Sequence, residues 1–197
     1  MLGIRAAAPD DLDALQALQW RSLRLRLGAA PSPAMEASLW RLSGLAPHHL
    51  AAGACLVAEG EAGPLGFIAW QAEPLHRGGL PREPLPPLPA ACGRSVTLRA
   101  LHVEAEAGLR GIGRALLREA ERRLADLGVA TTEALVPVVA EAFFRRHGYV
   151  AISVHATRLP GGDVLELRRM LRALPDGHAL KPRAAGAMRG RPAARRG

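Results

Sequence analysis

The residues best placed to do chemistry are glycines, in the run Gly108-Leu109-Arg110-Gly111-Ile112-Gly113 between an apolar stretch ending at Val103 and a helical pattern reaching Leu127. After a strand, such a turn directs successive backbone N–H groups onto one concavity. The free N–H groups of the helix's first turn join them, and together they suit a phosphate or pyrophosphate. Gly111 and Gly113 have no side chain to keep an anion from the backbone. On these residues alone a second reading stays open, in which the glycines only let strand and helix pack tightly. Other nucleotide motifs fail on spacing: no Gly-Lys-Ser/Thr follows, and the dinucleotide fingerprint would need glycine at Leu116 and a βαβ unit at the start of the domain. Metal chemistry finds no framework. The seven histidines are scattered, Cys55 and Cys92 have no paired spacing, and no HExxH or Cys/His finger pattern occurs. Both cysteines read as reduced thiols, and His48-His49 as a solvated turn.

The glycine turn needs a strand before it and a helix after it, and the chain supplies both. Arg94 to Val103 reads as a strand with Val96, Leu98, Ala100 and His102 on one face and Arg99, Leu101 and Val103 on the other. Ile112, Leu116, Ala120, Leu124 and Leu127 then form one apolar helical face, and Gly128 suits its end. Upstream, Leu2 to Ala7 reads as a strand and Pro9-Asp10-Asp11 as a helix start. Gly28 to Pro33 breaks that helix, and Ser32-Pro33 launches a second one through about Leu42. Ala54 to Ala58 and Leu65 to Ala72 read as a hairpin about Gly60 to Pro64. Downstream, Val129 to Val136 reads as a strand, Val138 to His147 as a helix closed by Gly148, and Tyr149 to Arg158 with Val164 to Leu171 as a final hairpin. Six prolines between Glu73 and Gly93 exclude both a helix and a central strand there, so that stretch reads as a long loop.

With 197 residues, 49% of them hydrophobic and 22% charged, the chain can bury a core but holds little more than one domain. The expected division is residues 1–173 as the domain and 178–197 as a basic, low-complexity, disordered tail. The net charge of +8 suggests nucleic acid until the charges are located. Lys181, Arg183, Arg189, Arg191, Arg195 and Arg196 carry most of it, and the part before them is nearly neutral, so a phosphate-tracking face is not expected. No apolar run approaches the roughly 20 residues of a membrane span, and Met1 to Arg5 does not open a signal region. The expected compartment is the cytoplasm.

The order of these elements and two motifs within them resemble the GCN5-related N-acetyltransferase (GNAT) family. Leu101-His102-Val103 followed by Leu109-Arg110-Gly111-Ile112-Gly113-Arg114-Ala115 is similar to that family's acetyl-CoA segment, and Ala140 through Phe143-Phe144 to Gly148-Tyr149 is similar to its A-x-x-F-Y-x-x-x-G-F helix. The resemblance covers roughly Leu2 to Leu171. It implies an α/β (α+β) fold: a mixed, mostly antiparallel, splayed central sheet flanked by helices. Four positions depart from the family pattern. Gly108 stands for the usual Arg or Gln, Thr97 for a frequent acid, Pro137 for a frequent Asn and Phe144 for the common general-acid Tyr.

The resemblance further implies acetyl-CoA as cosubstrate, no metal, and transfer of the acetyl group to a primary amine of a small molecule or protein by direct attack in a ternary complex. It places CoA against Leu101, His102, Val103, Leu109, Arg110, Gly111, Ile112, Gly113, Arg114 and Ala115, with a backbone N–H near Leu101 to Val103 as oxyanion donor. Glu104 is the first choice for the base and His102 the second, with Glu106 and Glu133 behind them. A homodimer is compatible with this reading, and a membrane or nucleic-acid partner is not expected. The alternative is a CoA-binding regulatory or vestigial module without turnover.

Overall fold

The computed structural model describes residues 2–27, 32–72, 93–105, 110–159 and 162–175. Seven strands, β1 (Gly3–Ala6), β2 (Cys55–Gly60), β3 (Gly63–Gln71), β4 (Ser95–Val103), β5 (Thr131–Pro137), β6 (Val150–Arg158) and β7 (Val164–Ala173), form one sheet in the order β1-β2-β3-β4-β5-β7-β6. Every pairing is antiparallel except β4 with β5. Five helices, α1 (Leu12–Leu27), α2 (Pro33–Ser43), α3 (Pro47–Ala51), α4 (Ile112–Asp126) and α5 (Val138–Arg146), cover its two faces. The mixed sheet and its helices agree with the expected fold class.

The helices divide by their apolar stripes. On one face Leu116, Leu117, Ala120 and Leu124 of α4 pack with Phe144 of α5 against Leu56, Ile68, Leu98 and Val136. On the other, Leu15 and Leu18 of α1 bury Val57 and Phe67, while Leu39 and Leu42 of α2 meet Leu135 and Leu167. Leu127, expected on the buried stripe, lies just past the end of α4 and is 62% exposed. α3 has no counterpart in the sequence reading, and His49 on it is buried rather than part of a solvated turn. Its Nδ1 accepts the Ala46 N–H at 3.1 Å, and burial, helped by the nearby His48 and Arg99, pushes its imidazole down to about 4. Cys55 is a buried free thiol. Cys92, most of the Pro-rich stretch, Glu106 to Leu109 and the basic tail lie outside the described residues.

The start of α1 is tied to β1 and β2 through one arginine. Both Arg5 Nη atoms donate to Asp11 at 2.7 and 2.9 Å, and Arg5 also donates twice to Glu59. Asp11 accepts the Ala8 N–H as well, at 2.7 Å. Arg5 holds the Asp11 carboxyl below its usual range, so the stabilisation is present above the ordinary carboxylate value and is lost as the pH falls through the lowered one. Asp11→Asn is therefore expected to reduce the urea midpoint at pH 7, with the deficit to the parent closing below about pH 4. A constant deficit across that range would refute the ion-pair account.

The feature that positions the site is where β4 and β5 part. They pair only from Ser95–Leu98 to Thr131–Ala134. Beyond that, β4 stays with β3 and β5 stays with β7, so the two strands diverge. At the same point Trp70 pairs with Leu98 and Ala69 with Ala100, which leaves Arg99 as an extra residue in a β-bulge. The bulge corrects the expected alternation of β4. Leu98, Leu101 and Val103 join the α4 side, whereas Ala100 joins the α1 side and His102 turns with it toward Gln19 and Ser22 of α1.

Candidate active site

The gap between β4 and β5 holds a cavity of about 90 Å³, lined by Leu98 to His102 on one strand, Ala134 to Pro137 on the other, and Leu39, Leu42 and Ser43 of α2. Its walls carry backbone polar groups that no strand pairs. The Glu104 N–H donates to Leu65 O at 2.9 Å. Alternation along an antiparallel ladder then turns the N–H and C=O groups of Leu101 and Val103 away from β3, toward the gap. Phe144 is buried, lines the same cavity and stands edge-on to Tyr149. Tyr149 itself is engaged elsewhere: its hydroxyl donates to Glu121 at 2.9 Å and shares a hydrogen bond with Thr132.

Beside the end of β4 begins α4. Gly111 has φ +74° and serves as its N-cap without any side-chain capping bond. The left-handed conformation explains the need for glycine there. The Ala115 N–H returns to Gly111 O at 3.0 Å, so the amides of Ile112, Gly113 and Arg114 have no intrahelical acceptor. A Cβ on Gly113 would lie 3.5 Å from both Val103 Cγ2 and Phe143 Cε2, an ordinary contact. The protein itself does not require glycine at that position; a ligand approaching the backbone would.

These amides open on a groove of about 760 Å³ lined by Val103, Gly111, Gly113, Arg114, Arg118, Phe143, Arg146, His147, Gly148 and Arg172. Of the three acids of α4, two are used away from the groove and one pairs with a groove arginine. Glu119 pairs with Arg122 and Arg123, Asp126 with Arg122, and Glu121 with Arg172. Arg114, Arg118 and Arg146 have no carboxylate partner among the described residues, which makes the groove locally cationic although the chain before its tail is nearly neutral. Sequence reasoning missed Arg118, Arg146 and Arg172. The i, i+4 spacing of Arg114 and Arg118 downstream of the glycines was the signal available.

Of the residues expected at the CoA site, Leu101, His102, Val103, Gly111, Gly113 and Arg114 line the cavity or the groove. Ile112 is buried in the core, Arg110 and Ala115 line neither, and Leu109 lies outside the described residues. The proposed bases separate. Glu104 is bound by Arg21 through its Oε1 and lies outside the cavity lining. His102 is 6% exposed and lines the cavity. Its ring nitrogens sit 3.4 Å from Gln19 Nε2 and Ser22 Oγ. Glu133 is buried against Arg169, with Nε and Oε1 2.5 Å apart. Among the described residues no cluster of three metal-binding side chains occurs, and no helix is long and apolar enough to cross a membrane.

A sheet opened between two parallel strands, with an uncapped glycine-led helix beside the opening, offers an extended ligand a strand edge and its phosphates a set of free amides. The family model for the acetyltransferase (GNAT) domain matches residues 51–151, and the chain belongs to the GNAT acetyltransferase family. No curated protein matches it in sequence. Solved structures share the fold. PaiA N-acetyltransferase from Thermoplasma acidophilum, in complex with coenzyme A, is similar with TM-score 0.63 and 17% identity, over 88% of this chain and 99% of that one. The GNAT superfamily phosphinothricin acetyltransferase of Sinorhizobium meliloti, in complex with AcCoA, is similar with TM-score 0.62 and 23% identity, over 93% and 94%. The ribosomal-protein-S18-alanine N-acetyltransferase of Escherichia coli is similar with TM-score 0.57 and 18% identity, over 88% and 94%.

Proposed function

We propose that the protein is an acetyl-CoA-dependent N-acetyltransferase that moves the acetyl group to a primary amine by direct attack in a ternary complex. The observation that carries this reading is the divergence of β4 from β5 beside the uncapped start of α4, because one feature accommodates a thioester and the other an anion. In this reading the pyrophosphate sits on the amides of Arg110 to Arg114, with Arg114, Arg118, Arg146 and Arg172 around the nucleotide. The pantetheine arm runs along Leu101 to Val103, and the N–H groups turned into the gap polarise the thioester carbonyl and hold the developing oxyanion. The acceptor arrives as an ammonium and must lose a proton before it attacks. His102, which lines the cavity, takes that role in preference to Glu104, which is held by Arg21. The amine nitrogen then bonds to the carbonyl carbon, and the C–S bond breaks. The CoA thiolate is a good leaving group at a thiol pKa of about 8.5 and takes its proton from solvent or the protonated base, since Phe144 has none to give.

Gly113→Val tests the cofactor half. The added Cβ makes ordinary contacts with Phe143 and Val103 while the side chain occupies the anion's path, so CoA affinity measured by calorimetry is expected to fall at least tenfold, about 1.4 kcal/mol, with the melting temperature nearly unchanged. Undiminished affinity would remove the turn from the site. Amine-dependent release of free thiol from acetyl-CoA tests the transfer. Tight CoA binding with only slow, amine-independent hydrolysis would instead identify a CoA-binding module without turnover.

A further inference from the structure

Arg99 is the extra residue of the β4 bulge, at the point where β4 and β5 part, and it lines the cavity between them. We propose that Arg99 selects the acceptor by its carboxylate, so that the substrate is an amino-acid-type molecule with a primary amine and a carboxylate; this rests on the acetyltransferase reading above. Three observations converge on it. Besides Arg99, the polar side chains of the cavity lining are Ser43 and His102, and the lining contains no Asp or Glu. An ammonium entering without its own anion would meet a lone positive charge there.

Arg99 is also incompletely paired. One Nη2 hydrogen goes to the Arg41 carbonyl at 3.0 Å, Nε is buried with no acceptor among the described residues, and no carboxylate among them pairs with the guanidinium. Other arginines drawn into the fold, Arg169 and Arg172, have Glu133 and Glu121. Burial pulls Arg99 below the ordinary guanidinium value, and neighbouring His49, pushed down to about 4, is neutral and leaves Arg99 the one charge of the pair. A half-dry guanidinium is costly unless an anion completes it. A carboxylate does so with two parallel hydrogen bonds, which the planar fork of arginine favours. His102 lies three residues along the same strand, a span of roughly 10 Å. The long Arg99 side chain closes part of that span, so that carboxylate and amine of one small molecule address Arg99 and His102 together in this proposal.

The test uses the full-length protein, acetyl-CoA and the twenty common amino acids, each beside its carboxamide. Thiol release gives kcat/KM. Binding of the matching N-acetyl amino acids in the presence of CoA, by calorimetry, gives a readout that does not need turnover. The best acceptor is expected to exceed its own amide at least thirtyfold. Arg99→Gln should reduce that ratio to within threefold and abolish binding of the N-acetyl acid, and Arg99→Lys should restore part of both. Because glutamine removes a buried donor that lacks an acceptor, the variant should fold, which its melting temperature and CoA affinity check. Amides acetylated as well as acids, a ratio that survives Arg99→Gln, or a stronger preference for aminophosphonates would overturn the proposal. So would a panel of which no acid is turned over and no N-acetyl acid bound. In each of these cases the acetyltransferase reading still stands if CoA binds and any amine is acetylated; it falls if no amine is acetylated, whether or not CoA binds.

Discussion

His102→Gln is expected to lower kcat/KM about 100-fold at neutral pH, close to 2.7 kcal/mol of barrier. The size of the loss follows from where the proton must go. An aliphatic amine is almost wholly ammonium at neutral pH, and His102 is the residue of the cavity lining whose side chain can take up a proton, next to the backbone amides turned toward the gap. Glutamine keeps polar partners for Gln19 and Ser22 but accepts no proton, so substrate and CoA binding should be less affected than turnover. Raising the pH supplies free amine from solution, and the deficit should narrow there. Glu104→Gln and Phe144→Tyr should each change kcat/KM less than tenfold, since Glu104 is held by Arg21 outside the lining and Phe144 stands where loss of a proton donor is tolerable. The measurement is a pH–rate profile of the four proteins with one good acceptor. A Glu104→Gln profile with the 100-fold loss and a His102→Gln profile matching the parent would exchange the two roles.

Arg169→Met should cost about 3–5 kcal/mol of folding stability. Its side chain and that of Glu133 are 4% and 2% exposed, with Nε and Oε1 2.5 Å apart, across the β5–β7 ladder whose hydrogen bonds hold the outer arm of the gap. Removing the cation strands a carboxylate in the core, whereas replacing both partners by apolar residues removes both desolvation penalties. The double variant Glu133→Leu/Arg169→Met should therefore recover most of the loss in urea denaturation. Equal instability of single and double variants would show that the pair acts by packing and not by charge.

Most of the fold was legible because its signals are local. The apolar stripe of α4, the Ser32-Pro33 start of α2 and the glycines at Gly128 and Gly148 act within a turn of the chain. The groove arginines are harder to see, since Arg114, Arg118, Arg146 and Arg172 come from two helices and a strand and share a surface only once β7 lies beside α5. α3 escaped because five residues carry too little periodicity to distinguish a helix from a turn. The bulge escaped for a different reason. Alternation in a sequence assumes one residue per step, and whether a strand contains an extra one depends on its partner; Ala69 and Trp70 of β3 decide it here. The proposal puts His102 before Glu104 as base for the same reason, because their surroundings come from α1, some 80 residues earlier in the chain.

The bulge also has an evolutionary meaning. Every other residue of β4 is locked to a phase: inserting or deleting one would move Leu101 and Val103 from the α4 side to the α1 side and send His102 the opposite way. Arg99 is outside that phase, since its removal would leave Leu98, Ala100, Leu101 and Val103 on the faces they now occupy. The sheet can therefore accept another side chain there without refolding, and natural selection can exchange the residue proposed to meet the acceptor while the rest of the site stays as it is.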